Sequence, residues 1–521
     1  MNTVAVPIAL LERDAALQVI GDEITIGKDV LELVTGAMYA DPLSVYREYV
    51  QNAADAIDEA RATGRFEGKA YAAKVSIAID RQSRSVTIRD NGAGVPNSEF
   101  VRRLSAIGGS KKRGTQSRGF RGVGRLSGLG YCQEVVFRSR AVGDKKVLEI
   151  HWDGRRLREI LRDATFQGGL ADSIRAVAKI GTVQPKEAPA HFFEVELRKV
   201  ARVKNDVLLN EELVRNYLAQ VAPVPFHPEF RAGRAIQEFL AGFKIGDTFD
   251  VELNDGVGPI YRPFRDELPI TEKQNDRLHS PEFFKIRGLD EEIAGVGWTL
   301  QHSYYGAWPR RLGVGGLRTR LGNLQIGGSD FFAPHFVEPR FNQWSVGEVH
   351  VISARLTPNG RRDDFEHSGH YDNFVGQMAP RLAEITRICR EKSELRQKLK
   401  TANQYVQRGR HAILALRSHA STPLQRKVAE WQCMEALTSL LKTSKGRALG
   451  ETERALVLGE HERLSRELGK LVTRFAGRDP LRGMRPGLRK DVEPILRLLF
   501  ERVRNPRKAE DLARRILQAF R

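Results

Sequence analysis

Three short segments near the start of the chain constrain its fold more than any other feature of the sequence. The first contains Glu48, Asn52 and Asp55, the second is an Asp-x-Gly-x-Gly pattern that begins at Asp90, and the third is a Gly-x-x-Gly-x-Gly pattern that ends at Gly124. Each pattern is common when it is taken alone. Their order, and the secondary structure that each requires, predict one ligand site made by a helix, a strand end and a glycine loop.

The first segment lies in a predicted helix over residues 42–62. Apolar residues recur there at helical spacing after Asp41-Pro42, which is a favourable helix start. Glu48 and Asn52 are therefore one turn apart on the same face. An amide oxygen helps to coordinate a hard cation such as Mg2+, while a free carboxylate orients or deprotonates a water molecule. A solvated Glu and Asn on the helix surface are the alternative interpretation.

The second segment follows a predicted β-hairpin with strands at residues 74–80 and 85–89. Asp90 would then lie at a strand end, where Gly92 and Gly94 allow the backbone to approach a flat ligand closely. A buried carboxylate at this place accepts a hydrogen bond from an exocyclic amine and thereby selects adenine. By itself, however, Asp-Asn-Gly is more often an ordinary turn.

The third segment, residues 117–127, places glycines before an apolar stretch. This arrangement is typical of loops that aim backbone N–H groups and a helix N-terminus at phosphates. Neither common nucleotide fingerprint applies, because the chain lacks Gly-x-x-x-x-Gly-Lys-Ser/Thr and this loop does not follow the first strand of a βαβ unit. The glycine repeat indicates little without the other two segments.

Together the three segments resemble the motifs of the GHKL ATPases, which include DNA gyrase, the ninety-kilodalton heat-shock chaperones, histidine kinases and MutL, with the MORC proteins as relatives. The pattern Glu-x-x-x-Asn-Ala-x-Asp-Ala, the aspartate turn and the glycine loop occur in the family's order. The resemblance implies ATP and Mg2+ as ligands, with Glu48 as the general base, Asn52 as the magnesium ligand and Asp90 as the adenine reader. The other nucleotide-binding residues that it implies are Asp55, Gly92, Gly94, Lys111, Lys112, Gly119, Phe120, Arg121, Gly122, Val123, Gly124 and Thr182.

Two of these assignments concern connecting segments. Residues 104–116 would form a mobile lid over ATP, and Lys111 and Lys112 would touch phosphate; a flexible charged loop is the alternative. Gly181-Thr182 would be the Gly-Thr pair that begins a late strand and helps to bind adenine. Two prolines interrupt the sequence between this pair and the strand predicted at residues 191–197.

A later segment, residues 356–365, resembles the middle-domain loop of the heat-shock chaperones. In that loop an Asn is followed three residues later by an Arg that reaches the γ-phosphate, and the match assigns this role to Arg362 after Asn359, with Arg361 as the less favoured neighbour. A guanidinium supplied by a second domain stabilises charge on a transferring phosphoryl group and makes hydrolysis depend on domain docking. A basic surface turn is the alternative.

The length of 521 residues predicts several domains. We predict an α+β protein: a Bergerat-type α/β sandwich ATPase domain over residues 1–200, an α/β middle or transducer domain over 206–379, and an all-helical C-terminal region over 380–521. Three scattered cysteines and the lack of a signal or membrane-spanning run predict a cytoplasmic protein with no membrane partner.

The positive charge is concentrated in the last region. Residues 381–521 hold 33 Lys and Arg against 16 Asp and Glu, which is +17 of the net charge of +19. A basic helical surface favours a polyanion through counterion release, so nucleic acid is one candidate partner. Acidic proteins would bind such a surface as well, Lys and Arg are common on solvated helix faces, and aromatic residues for base stacking are few here.

Three functions therefore stay open. The leading one is an ATP-driven conformational machine that resembles the heat-shock chaperones, acts on a protein client or partner protein and forms a homodimer. The second uses the same ATPase as a nucleic-acid clamp or remodeller, as in the MutL and MORC branches. The third is a nucleotide-sensing interaction protein of a defence or stress system, which binds ATP but hardly hydrolyses it.

Overall fold

The computed structural model describes residues 27–28, 31, 41–64, 73–106, 124–184, 188–254, 256–475, 479–503 and 505–520. The predicted fold class is confirmed, since an ATPase-type α/β sheet is followed by a second β region and then by helices. The described residues divide into two compact units, one made of residues up to 302 with 307–382, and one made of 303–306 with 383–521. The predicted boundaries of the three domains stay predictions.

Among the described residues, the first sheet has seven strands: β1 (Lys74–Asp80), β2 (Ser85–Asp90), β3 (Glu134–Arg140), β4 (Val147–Asp153), β5 (Ala178–Val183), β6 (Phe192–Arg198) and β7 (Asp250–Leu253). Their order is β5-β4-β3-β6-β2-β1-β7, and β7 runs parallel to β1. The predicted hairpin is β1–β2, in which Ile77 lies opposite Ile88 because alternate residues of both strands face the core. The last strand comes from beyond residue 206, so this sheet extends into the segment predicted as the middle domain.

The helices of this part are α1 (Ser44–Ala62), α2 (Asn97–Ser105), α3 (Gly154–Arg162), α4 (Leu170–Val177), α5 (Glu211–Val221) and α6 (Arg231–Ala241). Helix α1 begins next to Asp41, whose carboxylate accepts a hydrogen bond from the N–H of Leu43 at 3.0 Å. Its apolar residues share one core with those of α5, including the fully buried Val45, Val214 and Leu218. Helix α1 is therefore buried along most of its length.

The second β region contains a five-stranded sheet among the described residues, in the order β10-β11-β14-β12-β13. Strands β12 and β14 are parallel neighbours. An aromatic core with Phe226, Phe264 and Trp298 packs on one face of this sheet. The strands of the region are β8 (Glu267–Thr271), β9 (Gln274–Arg277), β10 (Pro281–Arg287), β11 (Ile293–Leu300), β12 (Gly316–Leu321), β13 (Leu324–Ile326) and β14 (Val346–Val351), of which β8 and β9 form a separate hairpin.

The last part of the chain is helical, with α7 (Gly369–Arg417), α8 (Pro423–Ser444), α9 (Glu451–Phe475), α10 (Pro486–Arg502) and α11 (Pro506–Ala519). Two of these helices begin with a proline, α8 at Pro423 and α10 at Pro486. Thr422 caps α8 by accepting a hydrogen bond from the N–H of Gln425 at 3.3 Å. None of the described helices has both the length and the apolar character that are needed to cross a bilayer.

A buried ionic cluster lies in the second sheet, around Glu348 of β14. Within the described part of the chain, the carboxylate of Glu348 pairs with the guanidinium groups of Arg262 and Arg320. Arg318 interacts with this carboxylate electrostatically without bonding to it, and each of the four residues is no more than 1% exposed. Burial alone would raise the pKa of Glu348, but Arg262 and Arg320 lower it well below its usual range. Burial also lowers the pKa of the adjacent His350 to about 4, so this imidazole is neutral near pH 7.

The positive surplus of the cluster is balanced by backbone carbonyls. Arg318 donates hydrogen bonds to the carbonyl oxygens of residues 313–316. Arg262 donates to the carbonyl of Val224 at 3.0 Å and to Oδ1 of Asn323 at 2.8 Å. The cluster therefore ties β12, β14 and the β12–β13 turn to the segment that follows α5.

Replacing Glu348 by Gln should destabilise this region by about 3–5 kcal/mol, because the buried guanidinium groups of Arg262 and Arg320 would lose their carboxylate. Urea denaturation of the two proteins measures the difference. Glu267→Gln is the matched control, since Glu267 is exposed and accepts one hydrogen bond from Asn275; it should change stability by no more than about 0.5 kcal/mol. Equal stability of the Glu348 variant and wild type would contradict the assignment of the cluster as a structural anchor.

Candidate functional site

Helix α1 is the platform of the site. Glu48 is 4% exposed and Asp55 is 7% exposed, and Asn52 between them is half-buried. The hydroxyl of Tyr49 donates to the carbonyl of Arg125 at 3.0 Å and accepts from the N–H of Gly128 at 3.1 Å. These bonds fasten the 3-10 segment Gly124–Gly130 to α1, so the end of the glycine loop is held beside the three polar residues of the helix.

The carboxylate of Glu48 is enclosed by groups from two other parts of the sequence. Gly124 approaches it so closely that a Cβ at this position would lie 2.2 Å from Oε2 of Glu48. On the other oxygen, Nη1 of Arg362 lies 3.4 Å from Oε1, and Nε of Arg47 lies 3.7 Å from the same atom. A side chain larger than hydrogen at residue 124 would therefore displace this carboxylate.

Arg362 belongs to a compact loop, residues 359–364, which we call the arginine loop. The side-chain amide of Asn359 donates to Asp363 at 2.6 Å, and the N–H of Asn359 donates to the carbonyl of Asp364 at 2.9 Å. Arg362 itself has a φ of +57°, in the left-handed region that an arginine rarely adopts. Asn359 thus closes the loop around the residue whose side chain reaches Glu48.

The two arginines of the loop occupy different environments. The side chain of Arg362 is 13% exposed, and its Nη1 atom is buried and makes no hydrogen bond within the described part of the chain. Arg361 is exposed, and its backbone carbonyl accepts a hydrogen bond from Nη2 of Arg47 at 3.0 Å. Of the two, Arg362 is the residue that the structure brings to Glu48.

Asp90 ends β2 and is 3% exposed. Its Oδ1 accepts a hydrogen bond from the N–H of Gly92 at 2.9 Å. Burial raises the pKa of Asp90 to about 7, although the bond from Gly92 opposes this shift. Gly94 needs its lack of a side chain, because its φ is +67° and a Cβ would lie 2.2 Å from the carbonyl oxygen of Arg140. The turn is joined to α1 by the N–H of Ala93, which donates to the carbonyl of Ala56 at 3.3 Å.

Thr182 lies elsewhere. It is an exposed residue of β5, the edge strand of the first sheet, and β4, β3 and β6 separate β5 from the strand of Asp90. At the usual strand spacing this corresponds to roughly 19 Å. The structure thus places Thr182 and Asp90 on strands that are not neighbours, and the adenine contact of Thr182 stays a prediction.

Two neighbours of the site were missed in the sequence. His191, just before β6, contacts the carbonyl of Gly92 through Nδ1 at 2.8 Å, so this nitrogen carries the proton there. His191 directly precedes β6, which pairs with β2. A ligand-binding residue was expected at the start of such a strand, so this position in the sequence could have indicated His191. Arg47 had no such signal, since its contacts with Glu48 and Arg361 depend on the tertiary structure.

Seven predicted residues fall outside the part of the chain that the structure describes, namely Lys111, Lys112, Gly119, Phe120, Arg121, Gly122 and Val123. The predicted lid, residues 104–116, is described only up to residue 106. In the described ranges, no group of three or more His, Cys, Asp or Glu side chains is placed to hold a metal ion. A site with one protein ligand is still compatible with Mg2+, which keeps several waters and binds mainly through substrate phosphates.

The raised pKa of Asp90 predicts a pH-dependent contribution to stability. The folded state binds this proton more tightly than the unfolded state, so the contribution is present at low pH and is lost as pH rises through about 7. The free energy of unfolding of wild type, relative to Asp90→Asn, should fall between pH 5 and about 7, by at most about 1.4 kcal/mol per pH unit, and then level off. Urea denaturation of both proteins across this range measures it, and a constant difference would contradict the assignment.

Comparison with known proteins identifies the family of this part of the chain. Residues 42–165 match the family described as "Histidine kinase-, DNA gyrase B-, and HSP90-like ATPase". Three similar curated proteins are each named "Chaperone protein HtpG". The protein of Klebsiella pneumoniae subsp. pneumoniae is 28% identical over 142 residues, which are 24% of this chain and 23% of the relative. Those of Polaromonas naphthalenivorans (29% identical over 139 residues) and Coxiella burnetii strain RSA 493 (30% identical over 142 residues) each match 24% of this chain and 22% of the relative. The chain thus spans less than a quarter of the length of these relatives. The family resemblance of the motifs is confirmed here, since residues 42–165 match the model of the GHKL-type ATPases.

Proposed function

We propose that this protein is an ATP-dependent conformational machine that hydrolyses ATP to ADP and phosphate. The observation that carries the proposal is the environment of Glu48. Its carboxylate lies against Gly124 at the end of the glycine loop, and 3.4 Å from Nη1 of Arg362. A buried base between a phosphate-binding loop and a guanidinium suits the attack of water on a γ-phosphate.

Each residue of the site has a distinct part in this proposal. Glu48 orients the attacking water and accepts its proton. Arg362, whose buried Nη1 makes no hydrogen bond within the described residues, donates to the γ-phosphate and stabilises the charge of the transition state. Asp90 in its ionised form accepts a hydrogen bond from the exocyclic amine of adenine.

Magnesium and the lid belong to the same proposal. Asn52 lies one turn after Glu48 on α1 and is half-buried, so its amide oxygen fits the role of the protein ligand to a Mg2+ ion that the triphosphate and water hold otherwise. When bound, this ion neutralises phosphate charge. We further propose that the segment 104–116 closes over the nucleotide, and that docking of the arginine loop completes the site.

Substitutions of Glu48 and of the two loop arginines test the mechanism. Glu48→Ala and Arg362→Ala should each lower kcat by about 100-fold or more, because one removes the base and the other removes the donor to the γ-phosphate. Arg361→Ala is the matched control and should keep kcat within about three-fold of wild type, since that side chain is exposed. Phosphate release by the purified proteins measures the rates. The mechanism is wrong if wild type does not hydrolyse ATP, or if Arg361→Ala is as impaired as Arg362→Ala.

The role of the whole protein is a further proposal. Because the similar proteins carry the name of a chaperone, we propose that a protein client or partner protein is bound during the ATP cycle, and that the chain forms a homodimer. Sedimentation velocity tests the dimer. There are two alternative functions. The positive charge of the helical region supports a nucleic-acid clamp, and the second alternative is a nucleotide sensor with little ATP turnover.

The ATPase rate with added macromolecules separates these functions. An unfolded protein should raise kcat of a chaperone-like machine, and the effect should depend weakly on salt. DNA or RNA would instead stimulate a nucleic-acid clamp, and its binding would weaken steeply between about 50 and 200 mM salt because counterions are released. Stimulation by nucleic acid but not by unfolded protein would overturn the chaperone-like proposal.

A further inference from the structure

A closed series of contacts connects Glu48 with Arg362 by way of the second sheet. It runs from α1 to α5, from α5 to β12 and β13, and from β13 to the arginine loop, which returns to α1. We call this series the coupling ring. All of its members belong to the first compact unit.

The first link joins α1 to α5. The buried hydroxyl of Tyr46 donates a hydrogen bond of 2.6 Å to the carbonyl of Leu208, which lies just before α5. Apolar residues of both helices occupy the same core, including Val45 and Val214, each with no exposed area. A displacement of α5 would therefore be felt by the helix that carries Glu48.

The second link joins the end of α5 to the ionic cluster, and it depends on Gln220. The side-chain Oε1 of Gln220 accepts a hydrogen bond from Nη2 of Arg318 at 3.1 Å, and its backbone carbonyl accepts one from Nη2 of Arg320 at 2.8 Å. Carbonyls in the last turn of a helix have no partner within the helix, so Arg320 also satisfies a carbonyl at the end of α5. Gln220 is thus held by two side chains of β12.

The third link joins the second sheet to the arginine loop. Asn323, in the turn between β12 and β13, accepts hydrogen bonds from both Arg262 and Arg320. Just after β13, the N–H of Gly327 donates to the carbonyl of Arg362 at 2.9 Å. The loop is therefore suspended from β13 on one side, and it is held to α1 by Arg47 on the other.

We propose that Gln220 is a positioning residue for hydrolysis: its side-chain amide fixes α5 to β12 and so sets the separation between Arg362 and Glu48. The inference rests on the proposed function. Gln220 touches no reacting atom, and it acts only through the coupling ring. Its side chain is a suitable point of control, because the Arg318 contact can be removed while the backbone contact with Arg320 remains.

Two substitutions of Gln220 separate positioning from mere stability. Gln220→Met keeps the size of the side chain but removes the acceptor for Arg318, and the cavity of about 350 Å³ that Gln220 borders leaves room for it. Gln220→Glu keeps an acceptor for Arg318 in a cluster with surplus positive charge. Both variants lose the bond that Nε2 of Gln220 donates to the carbonyl of Asn216 at 2.9 Å, so their comparison isolates the acceptor. We expect Gln220→Met to lower kcat by roughly 10-fold to 100-fold with an unchanged Kd for ATP. Gln220→Glu should stay within about two-fold of wild type.

A second readout does not require ATP turnover. Amide hydrogen exchange of residues 359–364, measured without nucleotide, should be faster in Gln220→Met than in wild type, but not in Gln220→Glu. Gln425→Met is the matched control, because it removes two side-chain hydrogen bonds in the helical region: the one that Gln425 donates to Glu510 and the one that it accepts from the N–H of Thr422. It should leave both kcat and the exchange of the arginine loop unchanged.

A double-mutant cycle decides between positioning and general destabilisation. In the Arg362→Ala background, Gln220→Met should change kcat by less than about two-fold, because no arginine remains to be positioned. The same loss in both backgrounds would overturn the proposal, and so would wild-type kcat and exchange in Gln220→Met. If wild type hydrolyses no ATP, the proposed function fails, and the exchange experiment alone then decides whether the ring holds the loop.

Discussion

The contact between Glu48 and Arg362 is the interaction on which the rest of the first unit depends. A carboxylate as deeply buried as Glu48 is unfavourable without a cationic partner. Among the residues that the structure describes, its cationic partners are Arg362, from a loop far along the sequence, and Arg47, its own neighbour on α1. Because Arg47 also binds the backbone of that loop, one small group of charges both stabilises the carboxylate and holds the loop against the helix. In the proposed function, the same geometry presents a base and a cation to the γ-phosphate.

The buried ionic cluster is the structural counterpart of this contact. The buried guanidinium groups of Arg262, Arg318 and Arg320 are costly to desolvate, and apolar replacements of buried ion pairs are often neutral or stabilising in proteins. The cluster fixes the relative positions of the elements around it. Its guanidinium groups donate hydrogen bonds to defined carbonyl or amide oxygens of α5, of the β12–β13 turn and of the segment after α5. Apolar packing is not directional and would allow these elements to shift relative to one another. Directional hydrogen bonds instead fix the position of β13, to which the arginine loop is bonded.

Local sequence patterns predicted much of this arrangement. The β1–β2 hairpin and helix α1 follow from period-two and helical spacing of apolar residues. The choice of Arg362 over Arg361 followed from the resemblance to a family loop, and the structure brings Arg362 to Glu48. The Gly-Thr pattern at Thr182 did not indicate that β5 is an edge strand with three strands between it and β2. Strand order is set by long-range pairing, which local patterns do not encode.

Local motifs in the sequence specified the residue types of the site: a carboxylate and an amide on a helix, an aspartate at a strand end, and glycines in a loop. Such motifs lie within short segments, and the ligand that a motif binds restricts which residue types can occur in it. Only the tertiary structure decided which distant groups join them: the arginine loop beside Glu48, His191 behind the Asp90 turn, and Gln220 between two arginines of β12. These contacts depend on how sheets and helices pack across hundreds of residues, and no periodicity within a single segment records that packing.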